Sequence, residues 1–282
     1  MPRALMRLAA FLPLAVLHAA GTLLDWLIYL ASPTYRRNLR ENLEQAGFLD
    51  RRTRRAAVAE AGRMLAELPA LWFRPHADVA AMVRALEGET ALWNRPRGSQ
   101  PIVFLSPHLG CFEVTSLFAA TRMPITILYR PPKLAWLDPL MREGRERTNV
   151  RLTTADRSGV RALLAALKRG EAVGFLPDQV PGVGEGEWVE HFGRPAYTMT
   201  LAARLAGQPG HACYVAYARR LPRGAGFALV TRALPPALPG ETAVRRINRA
   251  FESLIRECPE QYLWGYNRYK TPQGASAPES AA

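Results

Sequence analysis

The sequence predicts an α/β fold: a mostly parallel central sheet flanked by helices. Short apolar runs of strand length alternate with helix-length amphipathic stretches between residues 101 and 257, the order expected of parallel strands joined by helical crossovers. Ile102–Leu105 is apolar at four successive positions, as a short buried strand reads, with Pro101 before it and Ser106-Pro107 after it. A chain of 282 residues with 49% hydrophobic content can bury a sizeable core, as one large domain or one domain with an appendage.

The N-terminal segment Leu8–Ala31 is apolar apart from His18 and Asp25, and arginines flank it at positions 3, 7, 36, 37 and 40. Its uncharged run, Leu8–Leu24, falls slightly short of the roughly 20 residues of a membrane span. A buried core helix and a cleaved leader fit the same pattern. The length of the run, the lack of a small-x-small cleavage site, and Trp26 and Tyr29 near one end favour a helix that lies on a membrane or marginally spans it. Residues 1–31 are therefore expected as an anchor, 32–270 as the folded domain, and the Pro/Ala/Ser-rich residues 271–282 as a disordered tail.

Tyr35–Leu71 reads as helices, with an apolar stripe through Leu39, Leu43 and Ala46. The basic cluster Arg51, Arg52, Arg54 and Arg55 is a solvated face or, beside an anchor, an added attraction to anionic lipid. His76–Leu86 reads as another helix and Arg95–Gln100 as a turn. Beyond Leu105, Cys111–Arg122 reads as a helix, Pro124–Tyr129 as a strand, Leu134–Arg147 as a helix and Val150–Thr153 as a strand. Gly159–Arg169 is a helix closed by Gly170, and Ala172–Leu176 is a strand ending in Pro177-Asp178-Gln179. A Gly-rich loop over Val180–Pro195 leads to a helix over Tyr197–Ala206. Strands near Ala212–Ala218 and Phe227–Thr231 and a helix over Thr242–Glu257 complete the pattern.

The formal charge is +13, and 34 of the 37 basic residues are arginine. A basic surface favours anionic partners: lipid headgroups, phosphorylated substrates, an acidic carrier protein or nucleic acid. The chain has no recognisable nucleic-acid module and no aromatic-basic interleaving, so nucleic acid is not expected. Cys111, Cys213 and Cys258 are scattered and odd in number, which argues for a reducing compartment and against disulfides or a zinc site.

Chemistry concentrates at the end of the Ile102–Leu105 strand, where His108 enters a loop and Glu113 follows five positions on. On one straight helix such a pair would lie roughly 140° apart. With His108 in the loop and Glu113 in the first helical turn they can meet, Glu113 accepting the proton of one ring nitrogen and leaving the other basic. A loop histidine bonded to backbone is the other reading. No protein nucleophile accompanies the pair, which suits activation of a hydroxyl on a substrate. G-x-S-x-G, the P-loop and H-E-x-x-H are absent. Arg130, the cluster Arg142, Arg145 and Arg147, Arg157 and Asp178 fall at strand ends or beside them and can converge on one cleft. Asp178 reads either as a site carboxylate or as a loop cap, and Arg145 either as a site residue or as a solvated helix residue.

These residues resemble a known family. His108-x4-Glu113 resembles the H-x4-D/E signature of glycerolipid acyltransferases, in the glutamate form of the lipid A late acyltransferases. Tyr129-Arg130-Pro131 is similar to its Y-R-P element, and Arg142-x-Gly144-Arg145-x-Arg147 to its R-x-G-R-x-R run. Leu163–Asp178 resembles the block that ends in P-D-Q, and Pro259–Trp264 with Arg268-Tyr269-Lys270 the closing P-E-Q-Y-L-W…R-F-K signature. Asn38-Leu39 and Asn42-Leu43 resemble its N-terminal element. Val180 stands where the family has a second Asp, and Val189–Gly193 replaces its V-P-F-F-G element.

The resemblance implies a glycerolipid acyltransferase-like fold in residues 32–270. It implies transfer of an acyl chain from acyl carrier protein to a hydroxyl of a lipid A precursor, at the cytoplasmic face of the cell inner membrane. Another glycolipid or lysophospholipid acceptor, or hydrolysis of the thioester, is the alternative. His108 is then the base, Glu113 its orienting partner, and Arg145 or backbone N–H groups the donors to the oxyanion. Arg130 and Arg157 bind acceptor phosphates, and Asp178 is a positioning residue. Neither metal nor cofactor is expected, and a monomer is.

Overall fold

The computed structural model describes residues 2–96, 99–132 and 134–276. The chain begins with α1 (Pro2–Ala10), α2 (Leu14–Ala31), α3 (Pro33–Gln45), α4 (Arg51–Ala66), α5 (Leu68–Phe73) and α6 (His76–Ala81). Side-chain caps set two of these starts: Ser32 Oγ accepts from Tyr35 N–H, and Asp50 from Thr53 N–H. There follow β1 (Val83–Gly88), β2 (Ile102–Leu105), α7 (Phe112–Ala120), β3 (Ile125–Leu128), α8 (Asp138–Arg145), β4 (Val150–Thr153), α9 (Arg157–Lys168) and β5 (Ala172–Phe175). The chain continues through β6 (Gly186–His191), β7 (Arg194–Met199), α10 (Thr200–Ala206), β8 (Ala212–Arg220), β9 (Phe227–Ala233) and α11 (Ala243–Glu257).

Seven strands form one sheet in the order β1-β9-β8-β2-β5-β3-β4. Every neighbouring pair is parallel except β8 and β9, which the short link Leu221–Gly226 joins as an antiparallel pair. Parallel neighbours need crossover helices, and these cover both faces. β2 shows the consequence. Val103 and Leu105 pack into one core with Val173, Phe175, Tyr217 and Phe251, while Ile102 and Phe104 pack into the other with Trp72, Trp93 and Leu117. Each such side chain contributes about 1.5–3 kcal/mol by leaving water. The α/β class and the mostly parallel sheet are as the sequence predicts.

Two segments differ from expectation. The helix expected over His76–Leu86 ends at Ala81, and Val83–Gly88 instead adds an edge strand beside β9. The Gly-rich stretch Val180–Pro195, expected as a loop, and the first residues of the helix expected over Tyr197–Ala206 instead contain the hairpin β6–β7, a separate two-stranded sheet, and the helix starts only at Thr200. The hairpin's turn residues, Phe192 and Gly193, both have positive φ (49° and 73°), as a tight two-residue hairpin requires. Glu252 accepts from the Phe192 N–H at 2.9 Å and holds the unusual phenylalanine in place.

The segment expected as a membrane anchor forms two helices, the second of them partly buried. Pro13 separates α1 from α2, and α2 lays Leu14, Leu17, His18, Gly21 and Asp25 against the domain. Gly21 and Gly62 of α4 bring the two helix backbones into direct contact, so a Cβ on either would strike the other's carbonyl. The opposite face of α2 remains exposed through Leu23, Leu24, Leu27 and Leu30. Of the expected tail, 277–282 lie outside the described residues.

Candidate active site

The register of the sheet builds the site. β2 and β5 are parallel neighbours, and Leu105 pairs with Phe175 at their carboxyl ends. The two chains leave together, so His108 and Asp178, each three residues beyond that pair, lie side by side. Asp178 Oδ1 accepts from His108 Nδ1 at 2.7 Å, and Oδ2 accepts from the His108 backbone N–H at 2.8 Å. Asp178 is 2% exposed. Burial opposes its charge, but His108 and, more distantly, Arg268 outweigh it and hold the carboxyl below its usual pKa. A carboxylate facing Nδ1 fixes the hydrogen there and leaves Nε2 with its lone pair. The Gln179 amide lies 3.3 Å from Nε2, and the Phe112 ring packs edge-on at 4.8 Å.

The histidine loop is clamped from three sides. Ser106 N–H donates to Phe175 O and its hydroxyl to Ala216 O, while Cys111 N–H donates to Ala218 O. Gly110 has φ +59°, and a Cβ there would strike Ala218 O, so the turn needs glycine. The closing segment Pro259–Trp264 supplies the third side: Gly110 N–H donates to Gln261 O, and Leu263 N–H to His108 O. Asn42 of α3 in turn donates to Trp264 O and Tyr266 O at 2.6 and 2.7 Å. The N-terminal and closing motifs thus brace the histidine loop.

Glu113 lies in the first turn of α7, as expected, but it does not bond His108. The αL turn at Gly110 carries it to another wall of the cleft, where it makes a two-pronged ion pair with Arg145 at the end of α8. The carboxylate bonded to the His108 ring is Asp178, not Glu113. Each partner suits its helix end, an acid at an N-terminus and a base at a C-terminus. Burial works against the Arg145 cation, yet Glu113 outweighs it and raises the guanidinium pKa.

The rest of the arginine run braces α8. Arg142 stacks over the Tyr129 ring at 4.9 Å, Gly144 abuts Trp72, and Arg147 donates to the Trp72 carbonyl.

A pocket of about 270 Å³ joins these parts. His108, Gln179, Glu113, Arg145 and Arg130 line it, with apolar walls from Phe104, Ile125, Ile127, Phe175 and Leu176. Thr115 Oγ1 and Tyr129 Oη, also on its lining residues, are buried without a partner among the described residues. Gly174 lines it from the middle of β5, where any side chain would face Ile125 and Ile127. Arg130 is exposed at the rim. Arg157, exposed at the start of α9, does not line the pocket, which reaches Ala155. Gln179 belongs to the Pro-Asp-Gln triplet, but nothing in the sequence sets it against the histidine. Among the described residues no His, Cys, Asp and Glu side chains cluster as a metal site.

Residues 3–271 match the family described as bacterial lipid A biosynthesis acyltransferase. The chain is 28% identical to a lipid A biosynthesis lauroyltransferase of Escherichia coli over 218 residues, covering 76% of this chain and 70% of that protein. It is 26% identical to the lipid A biosynthesis palmitoleoyltransferase of the same organism over 222 residues, 77% and 71% of the respective chains. Among solved structures, a 1-acyl-sn-glycerophosphate acyltransferase from Thermotoga maritima aligns with a TM-score of 0.34 and 13% identity, over 85% of this chain and 94% of that one.

Proposed function

Because this chain belongs to the bacterial lipid A biosynthesis acyltransferase family and is an acyltransferase, we propose that it moves a fatty acyl chain from an acyl carrier protein thioester to a hydroxyl of a lipid A precursor. The observation that carries the mechanism is His108 Nε2 at an apolar pocket, with Nδ1 backed by a buried carboxylate. His108 takes the proton of the acceptor hydroxyl as its oxygen attacks the thioester carbonyl. The carbon–sulfur bond then breaks, and the imidazolium returns the proton to the leaving thiolate. Asp178 stabilises the imidazolium and keeps Nε2 directed at the pocket.

The tetrahedral intermediate carries an oxyanion, and Arg145, held by Glu113, is the donor we assign to it. A thioester is already activated, so the step calls for neither a metal nor a cofactor. The apolar walls suit the acyl chain, and Arg130 at the rim suits an acceptor phosphate.

We place the protein on the cytoplasmic face of the inner membrane; the exposed apolar row of α2 supports the membrane contact. This is the one helix among the described residues that is long and apolar enough to cross a bilayer by length and composition. The surplus of arginine supports both an anionic lipid surface and the acidic carrier protein as partners. We propose that the protein acts there as a monomer.

The test is transfer from lauroyl-acyl carrier protein to a lipid A precursor, followed by mass spectrometry. His108→Ala should lose about 10²–10⁴-fold in kcat/KM. Wild-type turnover in that variant would remove the base assignment, and free fatty acid without acylated product would identify a hydrolase.

A further inference from the structure

Gln179 faces the one ring nitrogen that the chemistry needs. Because Asp178 takes the hydrogen of Nδ1, His108 Nε2 carries a single lone pair, and the Gln179 amide donates to it at 3.3 Å. The carboxamide makes no other hydrogen bond among the described residues. Its backbone, by contrast, is fixed on both sides. Asp178 is bonded twice to His108, and the Val180 N–H donates to Tyr266 Oη at 3.0 Å. Val180 is buried, whereas Gln179 is half-buried and lines the pocket. The Phe112 ring packs edge-on against the imidazole. The ring and its loop are therefore held, and the amide, tied by one long bond, is the part that can move.

We propose that Gln179 is a specificity-determining residue that caps the base, so that a bound acceptor displaces it and water does not. The inference rests on the reading of His108 as general base in an acyl transfer. A thioester held beside an uncapped base meets a second nucleophile. Water gives a proton to Nε2 while its oxygen attacks the carbonyl carbon. The carbon–sulfur bond breaks, the thiolate takes the proton, and a free fatty acid leaves. While Gln179 donates to Nε2, the lone pair that would take that proton is occupied. A water that replaces the amide exchanges one neutral hydrogen bond for another and gains little. The acceptor is different, because it brings contacts remote from its reacting hydroxyl, and part of that binding energy moves the amide aside.

Lauroyl-acyl carrier protein reads this when supplied alone and with saturating lipid A precursor. The quantity measured is free fatty acid released without precursor, relative to acylated product formed with it. Gln179→Ala should raise that ratio about fivefold, the factor that corresponds to one neutral hydrogen bond of about 1 kcal/mol. Gln179→Asn keeps the amide but is one methylene too short to reach Nε2, and should raise it as well. Adding His108→Ala to Gln179→Ala should abolish the extra hydrolysis, because the same base activates the water. A purely structural role would lower both products together and leave the ratio where wild type has it.

An unmoved or lowered ratio overturns the inference, and either variant decides alone if the other does not fold. Extra hydrolysis that survives His108→Ala overturns it too. The single His108→Ala variant separates the two readings. Wild-type turnover in that protein refutes the base assignment itself, whereas an inactive His108→Ala with an unmoved ratio in the Gln179 variants refutes only the cap.

Discussion

His108 and Asp178 are 70 positions apart in sequence and bonded twice in space, through the imidazole and through the backbone amide of the same histidine. The double contact fixes both the position of the loop and the tautomer of the ring, so one substitution should disturb both. Asp178→Asn can still accept from Nδ1–H but cannot stabilise the imidazolium. We expect kcat to fall about 10²–10⁴-fold with little change in KM. Steady-state kinetics at fixed acceptor concentration checks this, and an Asp178→Asn enzyme within a few-fold of wild type would show that Asp178 does not back the base.

Glu113 and Arg145 form one unit on the pocket wall. Glu113→Gln and Arg145→Gln should each reduce transfer strongly, and the double variant should be no worse than the poorer single one, because the second loss removes nothing further. Additive losses in that double-mutant cycle would mean that the two side chains act separately.

Gly174 leaves space in the apolar wall. A Cβ there would meet Ile125 and Ile127 at 3.5 and 3.6 Å, an ordinary contact, so alanine fits and larger residues project into the pocket. Gly174→Val should shift preference to shorter acyl donors. Each methylene denied burial costs about 0.8 kcal/mol, or about fourfold in relative kcat/KM. Competition between donors of different length reads this directly; unchanged preference would place the acyl chain elsewhere.

Deleting α2 would strip the cover from α4 as well as any membrane contact, so point changes on the exposed face are cleaner. Leu24→Ser with Leu27→Ser should leave the thermal midpoint nearly unchanged, because both side chains are more than half exposed. Binding to vesicles containing anionic phospholipid should weaken by roughly 1.5–3 kcal/mol per leucine. Co-sedimentation equal to that of wild type would exclude this face from the bilayer.

Glu67 and Arg220 are both buried and doubly bonded, with Glu60 and His18 completing the cluster beneath α2. Burial opposes the Glu67 charge, but Arg220 outweighs it and lowers the folded-state pKa below the ordinary value. The stability this contributes is full above about pH 4.3, the ordinary glutamate value, and is lost as pH falls through the lower folded value. Arg220→Met should cost about 3–5 kcal/mol near neutrality. Without its partner the buried acid is better protonated, so the gap to wild type should narrow as pH falls. Urea midpoints at pH 7 and pH 5 test this; a gap independent of pH would mean that lost packing, not the stranded charge, sets the cost.

Much of the fold could be read because local signals were strong. The strand expected at Val150–Thr153 matches β4 to the residue, and Ile102–Leu105 reads as buried because nothing polar interrupts it. β1 is not legible locally, because Val83–Gly88 becomes a strand only by pairing with β9, a partner more than a hundred residues away. The hairpin is not legible either, because its turn, Phe192-Gly193, lacks the Asn-Gly or Asp-Gly sign of such turns and depends on Glu252 of α11 for support.

By itself the sequence determined that the chain is an α/β protein with a histidine at a strand end, an acid in the following helical turn, arginines after the next strand and an Asp at the end of another. Those are local facts, written in periodicity, turn residues and spacing. Only the tertiary structure decided the partners. Parallel pairing in register set Asp178 beside His108, and the αL turn at Gly110 sent Glu113 away to Arg145. Pairing across a sheet depends on strand order, which no local spacing encodes, so the acid five residues from the histidine gave way to the one seventy residues away.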